Sequence, residues 1–188
     1  MKGLRIGRNY KGPTLRSTDP EVIRQEKSKN PTILVISDGL SDFYRYFSII
    51  LPELSNYSWV FEEDCLSMEE KRWNELDKLI LEKKDQYKYA KPGFIQKFAN
   101  FIHDDWCNIF GFTSPIDNLD NFIKKYWASK NDRNKFLSQT VDIYFVNIDA
   151  AFWEVYSKNE NLLTIVSSEV KKDKDYYVND CNLMEKKV

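Results

Sequence analysis

Histidine is almost missing from this chain: 188 residues carry one, His103. Histidine is the usual general base near neutral pH and the commonest metal ligand, so its scarcity narrows the accessible chemistry. His103 and Cys107 are four apart, which on a helix places them on one face. A zinc site needs three or four ligands, however, and no second pair with suitable spacing accompanies them. Both residues border an aromatic stripe, where a half-buried histidine and a small apolar cysteine are ordinary, so no metal and no cofactor is expected. Cysteine is also scarce. Cys65, Cys107 and Cys181 are odd in number and widely spaced, which does not read as a disulfide framework. A reducing cytoplasm is the expected home.

Other absences are equally restrictive. Neither G-x-x-x-x-G-K nor G-x-G-x-x-G occurs, so the sequence has no phosphate-cradling loop. No G-x-S-x-G elbow is present, and a Cys–His pair on one helix does not build an oriented triad. No apolar run approaches the roughly 20 residues that cross a bilayer. The opening MKGLRIGRNYKG has charge but no apolar region, unlike a secretory signal. These gaps favour a non-enzymatic protein that engages neither membrane nor nucleic acid directly.

What is present is globular. Apolar residues make up 42% and aromatics 15%, too rich for disorder. The length suits one domain over 1–188, with a basic segment at 1–30 and a polar, flexible tail at 171–188. Charge is unevenly placed. Residues 1–30 hold eight Lys/Arg against three acidic groups, net +5, whereas residues 31–170 hold 15 against 22, net −7. One aromatic among the first thirty residues is thin support for a nucleic-acid arm, and the acidic body fits a basic protein partner better.

Periodicity assigns the elements. VDIYFVN and FWEVYS each alternate on a two-residue period with β-branched and aromatic residues, and Asn147, Asp149 and two alanines join them. This predicts an antiparallel hairpin with Trp153 and Val155 facing the core, and Asp149 as a turn residue rather than a catalytic carboxylate. Ser157 can cap a helix that buries Leu162, Leu163 and Val166. Upstream, LRIGRNY suits a short edge strand. Asp19-Pro20-Glu21 starts a helix that stops near Asn30-Pro31. TILVIS suits a central strand and YSWVFEE another, while DFYRYFSIIL is ambiguous. Ser67 and Glu70 form a capping box ahead of Trp73, Leu76 and Ile80. Beyond a Lys-rich spacer at 83–91, one helix is expected to carry Phe94, Phe98, Ile102, Trp106 and Ile109 and to end at Gly111. Another starts near Asp117 and buries Leu119, Phe122, Ile123, Tyr126 and Trp127, and NDRNKFLSQT adds a further helical turn. The fold class is α+β, with a small antiparallel sheet, including the C-terminal-half hairpin, packed against several aromatic-rich helices.

Two stretches could carry function. In ILVISDGLSD, Asp38 at a strand end and Asp42 beside it are the best enzymatic candidates, for a small hydrolase or phosphotransferase. Asp-Gly after a strand is also a common turn. EEDCLSMEE at 62–70 holds five carboxylates in nine positions, Glu62, Glu63, Asp64, Glu69 and Glu70. It lacks the 1, 3, 5 spacing and glycine of a calcium loop. It suits a surface that steers a basic protein, which Asp104 and Asp105 could extend, and equally a plain solvated face.

The hairpin IYFVNIDAAFWEVYSKNENLL, preceded by FIQKFANFIHDDWCNIFGF, resembles the bacterial immunity proteins of polymorphic and contact-dependent growth inhibition toxin systems. The likeness covers roughly 92–170. It lies in general character, since many of those proteins are also small, Asn/Lys/Ile-rich, acidic in the body and without catalytic signatures. It implies a cytoplasmic antitoxin that binds and neutralises one cognate protein toxin, often a basic nuclease. An accessory or structural role is the remaining class.

Overall fold

The computed structural model describes residues 1–10, 12–36, 39–103, 105–128, 130–148 and 151–185. The alternating KGLRIGR forms β1 (Lys2–Arg8), with Leu4 and Ile6 buried. It is not an edge strand, because strands from the C-terminal part flank it on both sides. A short β2 (Thr14–Arg16) leads to α1 (Pro20–Lys29), capped by Asp19, whose carboxylate accepts from the Glu21 and Val22 amides. TILVIS does not supply a central strand. Among its described residues only β3 (Leu34–Ile36) is extended, half-buried and parallel to β2 in a separate two-stranded sheet. Asn30 consumes the start of the run, since its side chain accepts from both the amide and the hydroxyl of Thr32.

DFYRYFSIIL resolves as α2 (Asp42–Phe47) followed by 3-10 turns, with the Ser41 hydroxyl accepting from the Tyr44 amide at 3.1 Å. β4 (Ser58–Glu62) is buried along its whole length. α3 (Glu70–Asp77) lacks the expected capping box: Glu69 takes the cap position with no side-chain bond. The Ser67 amide is committed elsewhere, to the Phe101 carbonyl at 2.9 Å. The Lys-rich spacer is a hairpin of β5 (Ile80–Lys84) and β6 (Tyr87–Ala90), turned at Asp85 with φ +52°, a left-handed geometry that Asp tolerates. The long aromatic helix also breaks up. α4 (Phe94–Phe98) gives way to a 3-10 turn and then β7 (Asn108–Phe112). In NIFGF the two-residue period overrides the helical spacing of Ile102, Trp106 and Ile109. Gly111 is mid-strand rather than a helix cap, because a Cβ there would lie 2.7 Å from the Trp59 ring.

α5 (Leu119–Tyr126) is capped by Asn118 and buries four of the five expected residues, while Trp127 is 61% exposed. α6 (Lys130–Thr140) follows. The expected hairpin is present as β8 (Ile143–Ile148) and β9 (Phe152–Ser157), paired Phe145 to Val155 and Ile148 to Phe152. Its turn residue Asp149 lies outside the described residues. Asn159, not Ser157, caps α7 (Glu160–Val170), and Ser157 accepts from the Asn159 amide. Within the C-terminal segment, β10 (Tyr176–Asn182) is an ordered strand that pairs with all seven residues of β1.

Eight strands form one antiparallel sheet in the order β10-β1-β9-β8-β7-β4-β6-β5, so the class is α+β with helices on both faces. One face, with Ile6, Trp59, Phe61, Phe145 and Trp153, packs on α2, α4 and α7. Phe43 of α2 touches Phe47, Phe145 and Trp153 at ring separations of 5.0 Å, edge-on or tilted as aromatic quadrupoles prefer. The other face, with Val60, Phe110, Tyr144 and Tyr156, lies under α5 and α6. No helix among the described residues is long and apolar enough to cross a membrane.

Candidate functional site

Segments 63–69 and 101–107, distant in sequence, run side by side at one end of the sheet. The His103 amide donates to the Cys65 carbonyl at 3.0 Å, and Leu66 and Ile102 form a β-bridge. The His103 ring nitrogen Nε2 meets the Asp64 carbonyl. Below these bonds Cys65 and Cys107 form a disulfide with Cα atoms 5.0 Å apart and both side chains buried. This corrects two expectations. His103 and Cys107 do not share a helix, and two of the three cysteines are paired. A separation of 42 residues hid the pairing, since only the β4–β7 neighbourhood brings the sulfurs together. Among the described residues no group of three or more His, Cys, Asp or Glu is placed to hold a metal.

The acidic stretch divides between interior and surface. Glu62 is turned inward: it is 8% exposed and accepts from the Tyr87 hydroxyl at 2.8 Å and the Asn108 side-chain Nδ2 at 2.9 Å. As the last residue of β4 it alternates with Phe61, so its side chain points into the layer under α5 and α6. Burial, then the charge of Glu62, pushes the Tyr87 hydroxyl far above its usual range, and the same two causes lift Tyr126 to about 12. Glu63 is partly spent on Lys88 at 2.7 Å. Asp64, Glu69, Glu70 and Asp105 are exposed, whereas Asp104 lies outside the described residues. Between Asp105 and the disulfide stands Trp106, 65% exposed at φ +43°. A bulky residue in left-handed backbone is unusual and is held there by the structure around it. Trp106 was not legible as a surface residue, because its spacing from Ile102 and Ile109 matches a buried helical stripe.

A cleft of about 880 Å³ opens beside this surface. Its wall includes Arg8, Asp42, Tyr46, His103, Asn147 and Trp153. Asp42, one of the two enzymatic candidates, faces it at the start of α2 but is 9% exposed and ion-paired with Arg8 at 2.5 Å and Arg45 at 3.7 Å. Arg8 also lies over the Tyr176 ring at 5.3 Å. Asp42 is therefore committed to a salt bridge joining β1 to α2. Asp38 lies outside the described residues, although Gly39 and Leu40 line the cleft. A second buried carboxylate, Glu154, is fully covered and held by Arg5 at 2.7 and 3.0 Å and by the Tyr156 hydroxyl at 2.6 Å. FWEVYS hid this, because Glu154 alternates with the core-facing Trp153 and Val155 and reads as an outward charge, whereas the opposite face of the sheet is also covered.

The fold and this end of the sheet define an antiparallel-sheet α+β protein with a disulfide-clamped, acidic, Trp-bearing surface next to a cleft. No protein family, curated protein or solved structure matches the chain.

Proposed function

We propose that this protein is a non-catalytic binding protein of the immunity type, which captures a basic protein toxin and blocks it. The observation that carries the reading is the clamped pair of segments 63–69 and 101–107. It sets Trp106, 65% exposed, among the exposed carboxylates of Asp64, Glu69, Glu70 and Asp105. Tryptophan is enriched among residues that anchor protein interfaces, and rim carboxylates steer a cationic partner. The disulfide and the two backbone bonds order the surface before binding, which lowers the entropic cost of association. The commitment of Asp42 to two arginines weighs against the hydrolase or phosphotransferase alternative.

The test uses the product of the gene adjacent to this one, purified and assayed for binding. The expected result is a tight complex with wild type and a loss of at least tenfold in affinity for Trp106→Ala, with unchanged melting temperature. A complex unaffected by Trp106→Ala moves the interface elsewhere, and failure of the neighbouring product to bind removes the immunity reading.

A further inference from the structure

The two edges of the eight-stranded sheet are built differently. β5 protects its edge with Lys83, Lys84 and a break in register between Ile80 and Glu82. β10, reading YYVNDCN, carries no lysine, arginine or proline and pairs with β1 without a shift over seven residues. Two backbone bonds at the ends of this pairing fix which groups of β10 are engaged. The Asn9 amide donates to the Asp175 carbonyl and the Leu183 amide to the Met1 carbonyl, so odd-numbered residues of β10 exchange bonds with β1. The N–H and C=O groups of Tyr176, Val178, Asp180 and Asn182 therefore point away from the sheet. Of these, both groups of Tyr176 are engaged within the chain, its amide donating to the Asp173 carbonyl at 3.3 Å and its carbonyl accepting from the Asn9 side chain at 3.1 Å. Among the described residues, Val178 and Asp180 make no backbone bond outside the sheet.

We propose that this edge pairs with the same edge of a second copy, antiparallel about a twofold axis through Asn179, to give a homodimer with a continuous sheet. Only this register pairs Val178 and Asp180, the two central outward residues, with each other on both sides of the axis; a shift of two residues sets Asp180 against either its own copy or the engaged Tyr176. The unshifted register sets Asn179 against Asn179 and Tyr177 against Cys181, so no like charges stand directly opposed. The occupant is a second copy because the edge matches itself in both hydrogen-bonding phase and charge, and because the opposite edge carries the protection that β10 lacks.

Asn179 is exposed and sits on the axis, so substitution there perturbs the pairing without touching the core. Sedimentation equilibrium of the full chain across the micromolar range is expected to return twice the 22.4 kDa chain mass. Asn179→Lys sets two lysines face to face and is expected to sediment as a monomer, as is Asn179→Asp. Mixing the two variants in equal amounts is expected to restore the dimer through a Lys–Asp pair. A wild-type protein that is monomeric throughout, or an Asn179→Lys protein that stays dimeric, overturns the proposal. So does a mixture that remains monomeric.

Discussion

Removing the Glu62 carboxylate tests whether this acid belongs to the interior rather than to the charged surface its sequence neighbours form. Glu62→Ala removes the acceptor of the buried Tyr87 hydroxyl, at 2.8 Å, and of the half-buried Asn108 side-chain amide, at 2.9 Å. Hydrogen bonds to a charged group contribute about 1.5–3 kcal/mol each, and donors left buried without a partner add to the loss. Because the two bonds share one acceptor group, the combined cost is set at about 3–5 kcal/mol rather than at a full sum. Glu62→Gln keeps the shape and one acceptor oxygen, and should cost about 1–2 kcal/mol. Glu69→Lys and Glu70→Lys, on exposed positions, should stay within about 0.5 kcal/mol. Urea unfolding followed by fluorescence of the five tryptophans gives each value from the midpoint at constant slope. A Glu62→Ala protein that loses less than about 1 kcal/mol with an unchanged slope refutes the buried placement.

Trp153→Ala should destabilise by about 3–5 kcal/mol, because the ring is 1% exposed and packs on Phe43 and Phe47; a melting temperature near wild type contradicts this. Reducing the Cys65–Cys107 bond, or replacing both cysteines by serine, should cost about 4 kcal/mol of stability for a loop of 42 residues, and equal unfolding midpoints with and without dithiothreitol would count against the clamp. At high pH, Tyr126 ionises near 10 when unfolded but only at about 12 when folded. Its contribution is therefore complete below pH 10 and lost as pH rises towards 12, and Tyr126→Phe should flatten that decline in a pH series of melting temperatures. At low pH the order reverses for Asp142. Burial pushes its carboxyl up, but bonds from Thr113 and Lys158 outweigh this and hold it below the usual value of 3.8. Its stabilisation is present above that value and lost as pH falls through the depressed one, so Asp142→Asn should weaken the acid limb of the same series.

Legibility in the sequence followed the strength of local pattern. The β8–β9 hairpin could be read because alternation and β-branching agreed through both strands, although Asn147, expected in the connection, is a buried residue of β8. The start of α1 was equally clear, since Asp19, Pro20 and Glu21 each favour the same boundary for a different reason. β7 was obscured because Ile102, Trp106 and Ile109 satisfy a helical period by coincidence, and the choice is made by pairing with β4 and β8. β10 was hidden because its apolar positions, Tyr176 and Val178, are followed on the same face by Asp180 and Asn182, and the strand is ordered by β1. At the candidate site, the acidic run could be seen but not its division. Glu62 ends a strand and turns inward, while Asp64 follows in a 3-10 turn and faces water. Trp106 and the disulfide required knowledge of which distant segments meet, and no spacing within either segment encodes that.

Whether the clamped acidic surface receives a basic protein is decided by association kinetics against ionic strength. The measurement compares wild type with Asp64→Lys/Glu69→Lys, using the product of the adjacent gene. Exposed carboxylates act at long range and are screened by salt, so they govern the association rate more than the dissociation rate. In the double variant, association should be slowed by about tenfold at low salt, with a flatter dependence on ionic strength and a dissociation rate close to wild type. Association that is equally fast and equally salt-dependent in the two proteins would contradict an acidic docking surface.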